Sequence, residues 1–277
     1  MKIFKELIPF IYQKTILDSI SLKKLKSRNI RKEIPVVVSL TTIPSRIKLV
    51  HLTVKSILAQ NAKPKQITLW LHEDLEKFVT QDLKNLVGEI FEICYSKIDC
   101  PHLKLIETLL KYPDLPIVTV DDDQIYSNQL LNKLYQSHLL KPDYIISTIS
   151  RLIKFNEKDN PLPYQNWPYI DTFNEEDRFL LPLGVFGVLY PPNCFNAAVS
   201  DIELISKLSP KADDLWFKAL SMINGTKVKI INEKVRKPTL ILGTQKITLK
   251  NHNVSQDNNR IQWKYLMDHF KIKVKPN

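Results

Sequence analysis

The chain has 277 residues, 44% hydrophobic and 25% charged, with a formal net charge of +11. No stretch approaches the roughly 18 apolar residues of a membrane span, which leaves an ordinary folded α/β-sized protein. Only 5 glycines are present, and neither G-x-G-x-x-G nor G-x-x-x-x-G-K-[ST] occurs, so glycine-cradled dinucleotide and P-loop chemistry lose their main support.

Residues 3–20 place Ile3, Phe4, Leu7, Ile8, Ile11, Ile16 and Leu17 at helical spacing, with Lys2, Lys5 and Lys14 between them. Lys23-Lys24-Leu25-Lys26-Ser27-Arg28 follows. This pattern predicts a basic amphipathic helix, resting either on an anionic bilayer or on the body of the protein. Charges come too early here for the apolar core of a signal peptide.

From Ile34 strands and helices alternate. Pro35–Leu40 reads as a buried strand, 47–60 as a helix, Gln66–Leu71 as a strand, Thr80–Leu86 as a helix and Ile90–Tyr95 as a strand. A helix over His102–Lys111 leads to the run Leu115-Pro116-Ile117-Val118-Thr119-Val120, a strand that ends directly at Asp121-Asp122-Asp123. Such alternation predicts a mainly parallel sheet with helices on both faces. Ligands of such sheets sit at the carboxyl ends of the strands, where Thr41-Thr42-Ile43-Pro44-Ser45-Arg46 and the acidic triplet both fall. Three adjacent carboxylates repel, and a fold tolerates them when a divalent cation or hydrogen-bond donors absorb the charge. Mg²⁺ characteristically takes one or two carboxylates together with substrate phosphates. The alternative is a solvated acidic turn capping a helix that begins near Ser127.

Residues 154–182, rich in Asn, Pro and aromatics, read as a long surface loop, a lid or substrate platform. Leu183–Tyr190 reads as a strand in which Gly184 and Gly187 mark close backbone approach. Asp213-Asp214 then opens a helix, Leu215–Ile223. The division expected is 1–33 as a basic amphipathic segment, 34–232 as the catalytic domain and 233–277 as a basic C-terminal segment. Cys94, Cys100 and Cys194 lack C-x-x-C spacing, so neither zinc nor a disulfide scaffold is indicated and a reducing compartment is expected.

The charge is concentrated at the ends. Residues 1–35 hold nine Lys/Arg against three acids, and residues 227–277 hold twelve against three. Basic ends suit anionic partners such as phospholipid headgroups, nucleic acid or a pyrophosphate-bearing substrate, or serve only solubility.

Five stretches in order carry a resemblance: V-S-L-T-T-I-P-S-R-I (38–47), K-P-K-Q-I-T-L-W-L (63–71), V-T-V-D-D-D-Q-I-Y (118–126), L-P-L-G-V-F-G-V-L-Y-P-P (181–192) and A-D-D-L-W-F (212–217). Together they resemble GT-A-fold glycosyltransferases of the bacterial family-2-like kind that build lipopolysaccharide or capsule. The resemblance implies a nucleotide-sugar donor, a glycan or glycolipid acceptor, and Mn²⁺ or Mg²⁺ bridging the donor diphosphate. On that pattern Asp121 would hydrogen-bond the ribose and Asp123 would ligate the metal, with Asp122 facing either way. Thr41, Pro44 and Arg46 would border the base and ribose, and Lys104 would contact phosphate or base. Asp214 would be the base of an inverting transfer, and Asp213, where the family often has Glu, would bind acceptor hydroxyls. Gly184, Phe186, Gly187 and Trp216 would lie on the acceptor side, although Phe186 stands where a second small residue is expected. His252, in Lys250-Asn251-His252-Asn253, would supply a further metal ligand. The expected location is the inner face of the cytoplasmic membrane, in peripheral contact with anionic lipid. A sugar nucleotidyltransferase would want a glycine- and base-rich loop after the first strand, which T-T-I-P-S-R does not provide. A nucleic-acid-binding role finds no motif, and no nucleic-acid partner is expected.

Overall fold

The computed structural model describes residues 2–27, 32–244 and 257–274. The chain opens with α1 (Lys2–Asp18) and α2 (Leu22–Lys26). Leu17 and Leu25 are buried in the main core, so this segment is seated on the body. The wholly buried Lys63 fastens it, donating from Nζ to the carbonyl of Leu25 at 2.6 Å and to that of Leu58. A buried ammonium is tolerated when it is hydrogen-bonded in this way.

The main sheet begins with β1 (Lys32–Thr41). Ile34, Val36, Val37, Val38 and Leu40 are all fully buried, as expected of a β-branched run covered on both faces. Next come α3 (Val50–Leu58), β2 (Ala62–His72), α4 (Gln81–Lys84), β3 (Phe91–Ser96), α5 (Leu103–Lys111) and β4 (Ile117–Thr119). Beyond the acids lie β5 (Gln124–Ile125), α6 (Leu130–Leu140), β6 (Ile145–Ser147), β7 (Ser150–Leu152), β8 (Tyr169–Ile170), β9 (Leu180–Pro182) and β10 (Val188–Tyr190). The described chain closes with α7 (Ile202–Leu208), α8 (Asp213–Ile223), β11 (Val228–Ile230), β12 (Thr239–Leu240) and α9 (Asn258–Phe270).

Seven strands form one sheet in the order β11-β6-β10-β4-β1-β2-β3. All neighbours are parallel except β10, which runs antiparallel to both β4 and β6. α5 packs on β1, β2 and β4, and α6 on β6, β10, β2 and β1. β12 pairs with β5, and β8, β7 and β9 make a separate antiparallel sheet.

Three expectations need correction. The helix read as 47–60 begins only at Val50, because Ile43–Leu49 form turns in which the Arg46 N–H bonds the Ile43 carbonyl at 2.9 Å. The strand read as Leu183–Tyr190 survives only as β10; Gly184–Phe186 is a tight 3₁₀ turn, and Gly187 has φ +91°. That left-handed backbone breaks the pleat and costs a glycine little. Residues 154–182 are not one surface loop, since they contain β8 and the whole of β9. Trp167 there is fully buried, its indole N–H donating to the Leu162 carbonyl at 2.9 Å.

Candidate active site

Direction of travel decides what meets at the sheet edge. β1 and β4 are parallel, so Thr42 and the acidic triplet emerge on the same side. β10 is antiparallel, with Val188 opposite Thr119, which brings the preceding Gly184–Gly187 turn to that side as well. The crossover from β3 places the start of α5, with His102 and Lys104, on the same edge. α8 then points its first turn, Asp213 and Asp214, at this junction.

The triplet divides into two differently held parts. Asp122 is buried; its Oδ1 accepts from Arg46 Nη1 at 2.7 Å and its Oδ2 from the Thr42 hydroxyl. The same Arg46 nitrogen lies 3.2 Å from Asp123 Oδ2, and Gln124 Nε2 donates to Asp123 Oδ1 at 3.0 Å. Arg46 is itself steadied by Nε donating to the Thr244 carbonyl at 3.2 Å. Burial pushes both the Asp122 and Asp123 carboxyls above the ordinary range, and Arg46 opposes that push. The turn is fixed from below by the Thr53 hydroxyl, 2.9 Å from the Asp122 carbonyl and 2.8 Å from that of Gln124.

Asp121 faces the other way, onto Lys104. Lys104 Nζ is 2.8 Å from Asp121 Oδ1 and 3.0 Å from Asp213 Oδ2, so one ammonium joins the strand acid to the helix acid. Burial alone would lower the Lys104 ammonium; Asp121, Asp213 and Asp214 together push it well above its usual value. The two helix acids titrate apart. Burial works to raise Asp213, but Lys104 and the nearby His102 draw it below the carboxylate range. Burial and the charge of Asp213 push Asp214 well above it. Their surroundings thus push the two carboxyls in opposite directions, as often happens to paired acids in proton-transfer sites.

Gly184 stands where these side chains converge. Its N–H donates to Asp214 Oδ1 at 3.1 Å, and a Cβ placed there would lie 3.1 Å from that oxygen, 3.6 Å from Asp121 Oδ1 and 3.8 Å from Lys104 Nζ. Tyr126 closes the floor: its hydroxyl accepts from the Asp121 N–H at 2.8 Å and donates to the Val185 carbonyl at 3.1 Å.

Of the residues singled out in the sequence, Arg46, Lys104, Asp121, Asp122, Asp123, Gly184, Asp213 and Asp214 come together. Thr41 instead donates its hydroxyl to the Trp70 carbonyl at 2.8 Å, tying β1 to β2, and Pro44 is exposed in the following turn. Gly187 lies against Leu130, and half-buried Phe186 offers its carbonyl to the Thr148 hydroxyl at 2.8 Å. Trp216 is wholly buried with its indole N–H on the Val199 carbonyl at 3.0 Å, which leaves no ring face for a sugar. His252 lies outside the described residues. Sequence reasoning passed over Thr42, Thr53, Tyr126 and His102. Tyr126 stands three residues after the triplet, close enough in sequence to be weighed with it. His102 had no such signal; it is fully buried, edge-on to Trp216 and Phe217, and burial lowers its imidazole to about 4.

The acids can be weighed against the needs of a divalent cation. Among the described residues no group of three or more His, Cys, Asp or Glu side chains is arranged to hold a metal. Five carboxylates nevertheless share the edge with two described cations, Arg46 and Lys104, and three of the five have raised carboxyls. A hard ion that takes only one or two carboxylates and fills its shell with phosphate and water suits this donor set.

No protein-family model and no curated protein matches the chain. Solved structures do. Residues 1–349 of TarS from S. aureus, crystallised in complex with UDP, match over 87% of this chain and 73% of that one, with a TM-score of 0.50 and 12% identity. The fold is GT-A. 4-Diphosphocytidyl-2C-methyl-D-erythritol synthase from Anaerococcus prevotii DSM 20548 matches over 84% of this chain and 96% of its own, with a TM-score of 0.49 and 14% identity. For apo-UDP-glucose pyrophosphorylase the shares are 87% and 99%, with a TM-score of 0.44 and 8% identity. At 12% identity the likeness to TarS speaks for the fold alone.

Proposed function

We propose that this GT-A chain is a metal-dependent glycosyltransferase. It would move a sugar from a nucleoside-diphosphate donor to a glycan or glycolipid acceptor in surface polysaccharide synthesis, with inversion. The observation that carries the reading is the meeting of Asp121, Lys104, Asp213 and Asp214 around Gly184 at the carboxyl edge of the sheet. It puts a strand acid suited to a donor within one ion-pair network of a helix acid suited to an acceptor. The UDP in the S. aureus structure of the same fold supports a nucleoside-diphosphate donor.

Each residue has a part that follows from its surroundings. Asp123 would hold Mn²⁺ or Mg²⁺, which when bound would neutralise charge building on the leaving diphosphate. Asp121 orients the donor while Lys104 fixes its rotamer. Arg46 keeps Asp122 and Asp123 from separating under their mutual repulsion. Asp214 has Oδ1 committed to the Gly184 N–H, so Oδ2 takes the proton from the acceptor hydroxyl. The acceptor oxygen forms the new bond to the sugar anomeric carbon as the bond to diphosphate breaks, and the electron pair leaves with the nucleoside diphosphate. A carboxyl raised by burial is the better base for that task.

Transfer from radiolabelled nucleotide sugars with Mn²⁺ tests the proposal. Asp123→Ala should lose transfer and donor binding, whereas Asp214→Asn should lose transfer and keep the donor. Full transfer by either variant overturns the assignment. Release of pyrophosphate rather than nucleoside diphosphate would point instead to a nucleotidyltransferase.

A further inference from the structure

The catalytic edge leaves one helix face unexplained. α1 is apolar on two opposite sides. Phe10 and Leu17, with Gln13 between them, face the body, and Gln13 accepts from Arg236 Nη2 at 2.9 Å. On the far side Ile8, Ile11, Tyr12 and Ile16 stand 67%, 52%, 62% and 40% exposed. Their spacing, i, i+3, i+4 and i+8, puts them in one stripe along the helix. In α2, Leu22 is 43% exposed, and its neighbours Lys23 and Lys24 are exposed with it. A contiguous apolar stripe of this size, rimmed by cations, marks a contact surface.

We propose that this stripe docks on an anionic lipid bilayer, with Ile8, Ile11, Tyr12 and Ile16 entering the headgroup boundary and Lys23 and Lys24 meeting lipid phosphates. Charge chooses the occupant. Residues 1–35 carry a net charge of +6, so a second copy of the chain would set two basic segments against each other. Nucleic acid would satisfy the lysines but offer nothing to four large apolar side chains. An anionic bilayer offers both phosphate and hydrocarbon. No described helix is long and apolar enough to cross a membrane, so α1 would lie in the surface. Its inner side packs on β12, which pairs with β5 immediately behind Asp123. Docking would thus fix the orientation of the acidic edge to the membrane. Lipid binding requires neither donor nor acceptor, so it stands or falls apart from the transferase reading.

The test is co-sedimentation of the full chain with vesicles of phosphatidylcholine alone, or of phosphatidylcholine with about 30% phosphatidylglycerol. Binding should be several-fold stronger to the anionic vesicles. The triple variant Ile8→Ser, Ile11→Ser, Ile16→Ser should bind them at least about tenfold more weakly, because an interfacial helix is held by the apolar area it buries. Lys23→Glu with Lys24→Glu should show a similar loss while leaving α1 untouched. All five positions are exposed, so the thermal midpoint should not move. Undiminished binding by the serine variant, or no preference for anionic vesicles, overturns the proposal. So does a wild-type dimer in solution that the serine variant converts to monomer, since a second copy then covers the stripe.

Discussion

Replacing Lys104 with methionine keeps the stem's volume and removes the charge that joins the two halves of the site. The side chain is 8% exposed, with Asp121 and Asp213 oxygens 2.8 and 3.0 Å from Nζ. At about 3 Å and an effective dielectric near 20, each contact is worth roughly 5 kcal/mol before desolvation is counted. Deleting the ammonium also returns its own burial cost, and breaking a buried pair in this way costs about 3–5 kcal/mol net. The loss should depend on pH. In the wild type Asp213 is held below the usual 3.8, so its contribution is present above that pH and is lost only in strong acid. Without Lys104 the largest influence opposing the burial of Asp213 is gone, and its carboxyl should rise toward that of Asp214. The folded variant then binds protons more tightly than the unfolded chain, so its stability recovers as pH falls from 7 to 5. Urea titrations of both proteins at the two pH values measure this. A loss below about 1 kcal/mol at pH 7, or one undiminished at pH 5, would refute the network argument.

Asp214→Asn should keep the Gly184 N–H bond through its amide oxygen while removing a buried charge beside Asp213. The urea midpoint should rise at pH 8, and the gain should shrink toward pH 5, because the raised wild-type carboxyl destabilises the fold only when ionised; no gain at pH 8 would count against the burial argument. In Gly184→Ala the new Cβ must displace Asp214 Oδ1 from 3.1 Å, so turnover should fall about tenfold with stability within about 1 kcal/mol of wild type. Unchanged turnover would separate Gly184 from the chemistry. Gly187→Ala differs: with φ +91° and Leu130 Cδ2 at 3.1 Å from the added Cβ, it should lower stability by about 1–3 kcal/mol, read as a lower thermal midpoint.

What the sequence revealed was whatever a strand carries to its end. Pro35–Leu40 and Leu115–Val120 are β-branched runs of the right length, and parallel pairing delivers Thr42–Arg46 and Asp121–Asp123 to one edge without further information. Lys104 was expected at phosphate or base, and the structure turns it onto Asp121 and Asp213. The Gly184–Phe186 turn was misread because Leu183, Val185 and Phe186 look equally apolar in a strand and in a turn laid on the core. Only the antiparallel direction of β10, set by its partners β4 and β6, puts that turn against the acids. Trp167 shows the same limit, because Pro and Asn around it spell loop while burial of the indole depends on distant strands. His102 meets Trp216 across 114 residues of chain, and no local periodicity records such a separation.

Two cations partition the acids. Arg46 keeps Asp122 and Asp123 together on the strand side, while Lys104 reaches from Asp121 on the strand side to Asp213 on α8. The electrostatic state of the helix pair therefore depends on what Asp121 is doing. Drawing Asp121 away would leave Lys104 more fully to Asp213 and remove one of the charges that raise Asp214, so the proton affinity of Asp214 would fall. A change at the strand acid would in this way be felt at the helix pair. That coupling needs no movement of backbone, because Lys104 already bonds Asp121 and pairs with Asp213, and Asp214 follows Asp213 directly in the chain.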